Sequence, residues 1–155
     1  MTKSILFVCM GNICRSPAAE NVMREKLKKA GLDKEVRIDS AGTLGLHHGQ
    51  SPDPRMTDAG RRRGLPMTGS ARKVTQNDFE AFDLILAMDK DNLQELQWMS
   101  ANGKAELFCS FCAQHDAEEV PDPYYGGSKG FEYVLDLLED GCSEILSKLE
   151  KERGM

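Results

Sequence analysis

The stretch SILFVCMGNICRSPAAE, residues 4–20, decides the fold of this chain. Residues 4–8 form an apolar run without alternation, which is typical of a strand buried on both faces of a parallel sheet. Ser16 and Pro17 then predict the start of a helix, with Ser16 as its N-cap and the proline in its first turn. Apolar side chains follow at helical spacing until Gly31 ends the helix. The chain therefore opens with a strand, a short loop and a helix.

The same alternation continues along the chain. Further strands are predicted at residues 36–40, 84–88 and 105–109. Helices are predicted at residues 57–63 and 89–99, and a short helix is predicted to begin at a capping box over residues 75–78. A last helix is predicted to begin at a Ser128 cap. Right-handed crossovers between such strands place helices on both faces of the sheet. We therefore predict one α/β domain over residues 1–155, with a doubly wound, four-stranded and mostly parallel sheet.

Composition narrows the class of protein. The chain has 155 residues, of which 40% are hydrophobic and 29% charged, as expected for one globular core. A net charge of −5 argues against nucleic acid as a partner. The apolar run at residues 5–8 is too short for a signal peptide or a membrane span, so we expect a cytoplasmic protein that does not bind membranes. We also expect it to be a monomer. Its five cysteines are then reduced, and the question is which thiol reacts.

The loop after the first predicted strand contains the candidate reactive cysteine, Cys9, and an arginine, Arg15, six positions later. Ligands bind open α/β sheets at the carboxyl ends of the strands, and the first helix turns the positive end of its dipole to the same place. We expect backbone N–H groups of this loop to converge on an anion, and a Cys9 thiol placed there to lose its proton more readily than a free cysteine. Arg15 can grip two oxygens of a phosphoryl group with its planar fork. The predicted phosphate-binding residues are Met10, Gly11, Asn12, Ile13, Cys14, Arg15 and Ser16.

Phosphoryl transfer also needs a proton for the leaving oxygen. Asp122 stands between two prolines in a loop that follows the last predicted strand, at the same edge of the sheet. The prolines would hold its carboxylate rigidly, and Tyr124 and Tyr125 would form an apolar wall beside it that also contacts a substrate ring. Asp122 is therefore the candidate general acid.

The motif VCMGNICRSP near the amino terminus and DPYYG near the carboxyl terminus together resemble the low-molecular-weight protein tyrosine phosphatase family. The resemblance covers nearly the whole chain. It implies hydrolysis of phosphotyrosine in proteins, and of small aryl phosphates, through a phosphocysteine, with no metal and no other cofactor. It makes Cys9 the nucleophile, Arg15 the transition-state clamp, and Asp122 the acid and later the base. Asn12, Ser16 and Ser40 would support the loop, and Cys14 would lie close enough to Cys9 to form a disulfide.

Two positions depart from the family pattern. Leu46 stands where many relatives place an aromatic residue on the pocket rim, and Gly69 where many place a histidine that braces the phosphate loop. Leu46 bears on selectivity for aromatic substrates, and Gly69 on the firmness of the loop. Neither departure removes a reacting group.

Several alternatives remain open at this stage. Cys109, Cys112 and His115 have the spacing of zinc ligands, but they also suit a redox pair or ordinary loop residues. His47 and His48 are interpreted as exposed loop histidines, and Arg61 to Arg63 as a solvated helix face. The rival functions are a thiol-dependent arsenate reductase, which needs further cysteines near the site, and a non-catalytic phosphate-binding module on the same fold.

Overall fold

Four strands form the sheet at the centre of the molecule, in the order β2-β1-β3-β4. The structure is a computed structural model that describes residues 1–100, 103–124 and 126–155. The strands are β1 (Ser4–Cys9), β2 (Arg37–Gly42), β3 (Leu84–Ala87) and β4 (Ala105–Leu107). All three strand pairings are parallel, so the predicted fold class is confirmed.

Strand β1 lies between β2 and β3, and all six of its residues are buried. Successive side chains of a strand point to opposite faces, and β1 divides accordingly. Ile5 and Phe7 join the larger of two hydrophobic clusters, while Leu6 and Val8 join the other. The unalternating apolar run is therefore the consequence of a strand that is covered on both sides.

Among the described residues, five α-helices cover the sheet: α1 (Arg15–Lys29), α2 (Pro54–Arg62), α3 (Asp78–Ala81), α4 (Lys90–Met99) and α5 (Ser128–Glu152). Helices α1, α2 and α5 contribute to the larger cluster, and α3 and α4 to the other, so helices lie on both faces as predicted. None of the helices in the described part of the chain is long and apolar enough to cross a membrane.

Two of the predicted caps are wrong. Ser16 is the second residue of α1, whose N-cap is Cys14, and its hydroxyl turns into the preceding loop. Helix α5 begins at Ser128 after a Gly127 N-cap, without a side-chain cap. A hydroxyl near the start of a helix can either cap the helix or form hydrogen bonds elsewhere. The Ser16 hydroxyl contacts Cys9 and Asn12 of the preceding loop instead of capping α1.

Several element boundaries also differ from the prediction, among them those of β2, which spans Arg37–Gly42, and one capping box is incomplete. Helix α2 starts at Pro54, three residues before the prediction, because the Asp53 carboxylate accepts the Arg55 N–H at 2.8 Å and caps it. Strand β4 ends at Leu107, where a 3₁₀ helix over Phe108–Phe111 takes over. Only the acidic half of the predicted capping box at 75–78 forms, in which the Asp78 carboxylate accepts the Thr75 N–H at 2.7 Å.

Phe108 is fully buried and its ring lies against α5 at Gly141. A Cβ at position 141 would approach the Phe108 ring to 2.4 Å, whereas a Cβ at Gly130 of the same helix would come no closer than 3.7 Å to Pro123. We expect Gly141→Ala to destabilise the fold by about 1–3 kcal/mol, as overpacked cores do. Gly130→Ala, the matched control, should stabilise it by up to about 1 kcal/mol through helix propensity. Urea unfolding measures both, and a Gly141→Ala protein as stable as wild type would contradict the packing described.

Candidate active site

The loop between β1 and α1 wraps around the sulfur of Cys9, the last residue of β1. Asn12 at the middle of the loop has a φ of 58°, the only left-handed backbone among the described non-glycine residues. Asparagine tolerates this conformation better than most residues do. The left-handed residue turns its own N–H back toward Cys9, and that N–H lies 3.3 Å from the sulfur.

Cys9 Sγ receives a second polar contact from the other side. The Ser16 hydroxyl lies 2.9 Å from the sulfur, and the side chain of Cys9 is only 3% exposed. The start of α1, where the helix dipole is positive, lies next to these contacts. Two hydrogen-bonding groups and the positive end of the helix dipole thus converge on the sulfur.

The side chain of Asn12 connects the loop to the rest of the protein. Its Nδ2 group donates to Ser16 Oγ at 2.8 Å and to Ser40 Oγ at 2.9 Å, and its Oδ1 accepts the Arg72 N–H at 3.0 Å. The structure thus brings together the three predicted loop-supporting residues Asn12, Ser16 and Ser40. Gly69 plays no part in this bracing, since it is exposed and a Cβ built on it would touch nothing within 4 Å.

Arg15 lies under the pocket with its side chain 3% exposed. Its Nη1 donates to Asp89 Oδ2 at 2.6 Å and to the Val120 carbonyl at 3.0 Å, so the plane of the guanidinium is fixed. Burial alone would lower the pKa of Arg15, but the neighbouring Cys9 sulfur and the Asp89 carboxylate outweigh it and the pKa is raised. A permanently charged, oriented fork therefore faces the loop.

Asp89 is a site residue that the sequence analysis missed. It is the N-cap of α4, where its Oδ1 accepts the Asn92 N–H at 2.8 Å, and its Oδ2 holds Arg15. The available signal was an Asp-x-x-Asn capping box placed directly after a buried strand, at the same edge of the sheet as the Cys9 loop. One carboxylate thus caps α4 and positions the arginine.

Asp122 lines the same pocket as Cys9. Its Oδ2 is 3.7 Å from Arg15 Nη2, its Oδ1 accepts the Tyr124 N–H at 3.0 Å, and its side chain is about one-third exposed. The carboxylate therefore reaches both solvent and the arginine. Tyr124 lies beside it and is half-exposed, with its ring under the guanidinium of Arg55. The second predicted rim tyrosine, Tyr125, lies outside the described residues.

These groups surround a pocket of about 150 Å³. Five of the predicted phosphate-binding residues line it, and the other two, Asn12 and Ser16, do not. The five are Met10, Gly11, Ile13, Cys14 and Arg15. Leu46 and Tyr124 form the rim, and Leu46 is 71% exposed. The walls are thus mainly apolar above a polar floor.

His47 also lines the pocket and is only partly exposed, so the prediction of an exposed loop histidine holds for it only in part. Its ring lies beside Gly11, where an added Cβ would come within 3.0 Å of Cδ2, and its Nδ1 is 3.1 Å from Gln50 Oε1. His48 is exposed, as expected. The sequence alone does not indicate which of two adjacent loop histidines faces the pocket.

The cysteine cluster at 109–115 lies apart from this pocket. His115 Nδ1 is 2.7 Å from Asp140 Oδ2, and the Cys112 thiol contacts the Leu137 carbonyl at 3.6 Å. Within the described ranges, no three His, Cys, Asp or Glu side chains are arranged to hold a metal ion. Because Asp140 already engages His115, the geometry does not favour the zinc alternative.

The arginine run at 61–63 forms ion pairs within the protein. Arg61 pairs with Asp58, while Arg62 and Arg63 both pair with Glu132 of α5. Arg63 is also held by Asp136. The cluster therefore joins α2 to α5, in addition to forming a solvated helix face.

A parallel α/β sheet that holds a cysteine sulfur in a cradle of donors, with a fixed arginine and a facing carboxylate, defines the class of cysteine-dependent phosphatases. A family model described as low molecular weight phosphotyrosine protein phosphatase matches residues 4–154. The chain belongs to this family. The predicted enzyme class, a phosphoric monoester hydrolase, is thereby confirmed, and hydrolysis through a phosphocysteine is the general property of the family.

Individual relatives agree over nearly the full length. A putative low molecular weight protein-tyrosine-phosphatase of Synechocystis sp. is 49% identical over 96% of this chain and 97% of its own. A crystal structure of a protein tyrosine phosphatase from Entamoeba histolytica, with Hepes in its active site, has a TM-score of 0.94 at 44% identity and covers 98% and 99% of the two chains. A Drosophila arginine phosphatase has a TM-score of 0.88 at 32% identity, with 97% and 98% covered.

The Asp89 contact leads to a specific prediction. Asp89→Asn keeps a side chain that caps helices well but removes the charge that holds Arg15. We expect kcat/KM for an aryl phosphate to fall roughly 10- to 100-fold, as for loss of a charge-assisted hydrogen bond, while the free energy of unfolding changes by less than about 1 kcal/mol. Steady-state kinetics and urea unfolding of one preparation give both numbers. Full activity in this variant would show that Arg15 needs no anchor.

Proposed function

We propose that this chain hydrolyses phosphotyrosine in proteins, and small aryl phosphates, with Cys9 as the nucleophile. The observation that carries the proposal is the position of Cys9 Sγ at the base of the pocket, with the Ser16 hydroxyl and the Asn12 N–H on the sulfur and Arg15 beside it. We further propose that the enzyme acts as a monomer in the cytoplasm on phosphotyrosine-containing proteins.

In the first step the Cys9 thiolate attacks phosphorus in line with the ester oxygen. The bond from phosphorus to that oxygen breaks, and protonated Asp122 donates its proton to the leaving phenolate. Arg15 and the N–H groups of the loop bind the equatorial oxygens, where negative charge accumulates in the transition state. The products are a phenol and phosphocysteine.

In the second step the Asp122 carboxylate takes a proton from water as the water attacks phosphorus. The bond from phosphorus to sulfur breaks, inorganic phosphate is released, and the Cys9 thiolate is restored. Ser16 is placed to donate to the departing sulfur, 2.9 Å away. Asp122 thus acts first as acid and then as base, and ends the cycle protonated and ready for the next substrate.

The walls of the pocket favour an aromatic ester over an aliphatic one. Met10, Ile13, Leu46 and Tyr124 offer apolar surface above the phosphate floor. A phenyl ring is long enough to bring its phosphate to the sulfur and is covered by these side chains, whereas a serine phosphate would leave them in water. Leu46 can supply this contact by burial alone, without the ring stacking of an aromatic residue.

The substrate proposal is tested with one peptide sequence carrying phosphotyrosine, phosphoserine or phosphoarginine at the same position. We expect kcat/KM for the phosphotyrosine form to exceed the other two by at least about tenfold, and Cys9→Ser to abolish turnover of all three, since an alcohol at this site stays protonated. Preference for phosphoserine would contradict the aryl pocket. Preference for phosphoarginine would contradict the phosphotyrosine proposal and indicate the substrate that the Drosophila relative is named for.

The role of Asp122 is tested through the leaving group. Asp122→Asn should lower kcat/KM by about 10²-fold or more for phenyl phosphate, whose leaving group needs a proton, and much less for p-nitrophenyl phosphate, whose leaving group is already stable as an anion. Asp116→Asn, in the exposed loop before it, is the matched control. Equal losses for the two substrates would assign the acid to another residue.

The role of Cys14 remains a prediction. Both Cys9 and Cys14 are free and line the pocket. Burial, then the charges of Asp53 and Cys9, raise the pKa of Cys14, so Cys14 stays a thiol beside the reactive sulfur. Peroxide would convert the Cys9 thiolate to a sulfenic acid, which removes one of the charges that raise the pKa of Cys14. Cys14 could then displace water and form a disulfide.

We therefore expect mild peroxide to inactivate the enzyme, dithiothreitol to restore it, and peptide mapping to find a bond between Cys9 and Cys14. Cys14→Ala should recover much less activity, because sulfenic acid without a partner thiol oxidises further. Cys109→Ala, which alters a buried cysteine outside the pocket, is the control. Complete recovery in Cys14→Ala would mean that Cys14 only fills space.

A further inference from the structure

Glu20 is a buried acidic side chain that the reaction steps above do not use. It lies on α1, one turn after Ser16, and is only 5% exposed. Its Oε1 lies 2.5 Å from Ser40 Oγ, and its Oε2 forms an ion pair with Arg24, whose other nitrogen donates to the Ile38 carbonyl at 2.7 Å. Burying a carboxylate costs free energy unless hydrogen bonds or an opposite charge compensate it, and Ser40 and Arg24 do so here.

Burial raises the pKa of Glu20, while the hydrogen bond from Ser40 and the charge of Arg24 favour its ionised form. With Glu20 ionised, the hydrogen bonds from Glu20 to Cys9 have only one consistent direction. An ionised carboxylate can only accept, so the Ser40 hydroxyl donates to Glu20, and Ser40 Oγ then accepts from Asn12 Nδ2 at 2.9 Å. Asn12 cannot turn over, because its Oδ1 is occupied by the Arg72 N–H.

The second hydrogen of Asn12 Nδ2 goes to Ser16 Oγ at 2.8 Å. Ser16 must therefore place its own hydrogen elsewhere. Cys9 Sγ lies at 2.9 Å, whereas the Ala41 carbonyl lies at 3.5 Å. The hydroxyl hydrogen thus points at the sulfur.

We propose that Glu20 is a positioning residue that acts on the Cys9 sulfur through Ser40, Asn12 and Ser16. It fixes the direction of the Ser40 hydroxyl, which leaves Ser40 Oγ as the acceptor that holds Asn12 Nδ2 in place. Asn12 in turn keeps the Ser16 hydrogen on the sulfur when the thiolate forms. The inference rests on the proposed function, since it matters only if Cys9 is the nucleophile.

The sign of the expected effect separates this role from a simple charge effect. Removing the negative charge of Glu20 would by its field alone make the Cys9 thiolate easier to form. Removing the acceptor for Ser40 would loosen the chain and make the thiolate harder to form. The charged groups that face Glu20 are Arg24 and Asp39. Those that face Cys9 are Arg15 and the Cys14 thiol, and Asp122 acts on Arg15. None of these groups changes in the variants below.

The test uses Glu20→Met, which keeps the length of the side chain but has no acceptor for Ser40. The measurement is the pH at which alkylation of Cys9 by iodoacetate is half-maximal, and it does not depend on turnover. We expect this pH to rise by about half to one unit, which is a three- to tenfold loss of thiolate at neutral pH. Glu20→Gln, which keeps one acceptor oxygen, should show a smaller rise. Glu25→Met on the same helix is the control and should show none.

The route is tested by repeating Glu20→Met in a Ser16→Ala background, where the chain to the sulfur is already cut. We expect no further rise there, because the two changes remove the same hydrogen bond. An unchanged or lower pH in folded Glu20→Met would overturn the proposal, as would a rise that persists in full without Ser16. If Glu20→Met does not fold, Ser40→Ala interrupts the same chain, and an unchanged pH in that variant overturns the proposal instead.

The two proposals fail in different ways. If alkylation at Cys9 leaves wild-type phosphatase activity intact, the proposed function itself is wrong. If alkylation abolishes activity in wild type and the pH is the same in Glu20→Met, only the role of Glu20 is wrong.

Discussion

The parallel pairing of β1 with β2 positions the Cys9 sulfur and the start of the phosphate-binding loop, and the other groups of the site are arranged around them. The pairing runs to the last residue of β1, Cys9, opposite Gly42, and continues beyond both strands as hydrogen bonds from Thr43 to the Cys9 carbonyl at 2.9 Å and from Leu44 to the Met10 carbonyl at 3.0 Å. A Cβ at Gly42 would lie 2.7 Å from that Met10 carbonyl, so only glycine lets the two segments approach so closely. The sulfur is thereby attached to the end of a strand that is buried along its whole length and paired on both sides.

The acidic groups around the pocket share Arg15 as their positively charged partner. Arg15 lies between the Asp89 carboxylate at 2.6 Å and the Asp122 carboxylate at 3.7 Å, with the Cys9 sulfur nearby. Asp89 is tied by a helix cap, whereas Asp122 stands in a partly exposed loop. The shorter contact therefore orients the arginine, and the longer one leaves Asp122 free to exchange protons with a substrate. A dianionic phosphate would meet the positive fork and the loop N–H groups together.

Sequence reasoning recovered the groups whose chemistry is local and missed those that depend on tertiary position. The buried strand, the spacing of Cys9 and Arg15, and the proline-bound Asp122 could all be found because each has a pattern of its own. Ser16 was misassigned as a cap because its hydroxyl has a competing partner only once Asn12 adopts its left-handed turn. Asp89 was visible as a cap, but its second oxygen reaches Arg15 only because β1 and β3 are neighbours in the sheet. Which of His47 and His48 faces the pocket likewise depends on the path of a long loop.

The bracing of the Asn12 loop has a consequence for how the enzyme folds. The hydrogen bonds that shape the loop join Asn12 to Ser40 and Arg72, and Arg15 to Asp89 and Val120, across up to 105 residues of chain. Bringing such distant segments together is entropically costly and slow, so no short fragment has enough partners to shape the pocket by itself. The anion cradle is complete only when the sheet and both layers of helices are complete. During refolding, the return of activity would therefore follow the last step of assembly and not the early formation of α1, although the loop and the helix are adjacent in the chain.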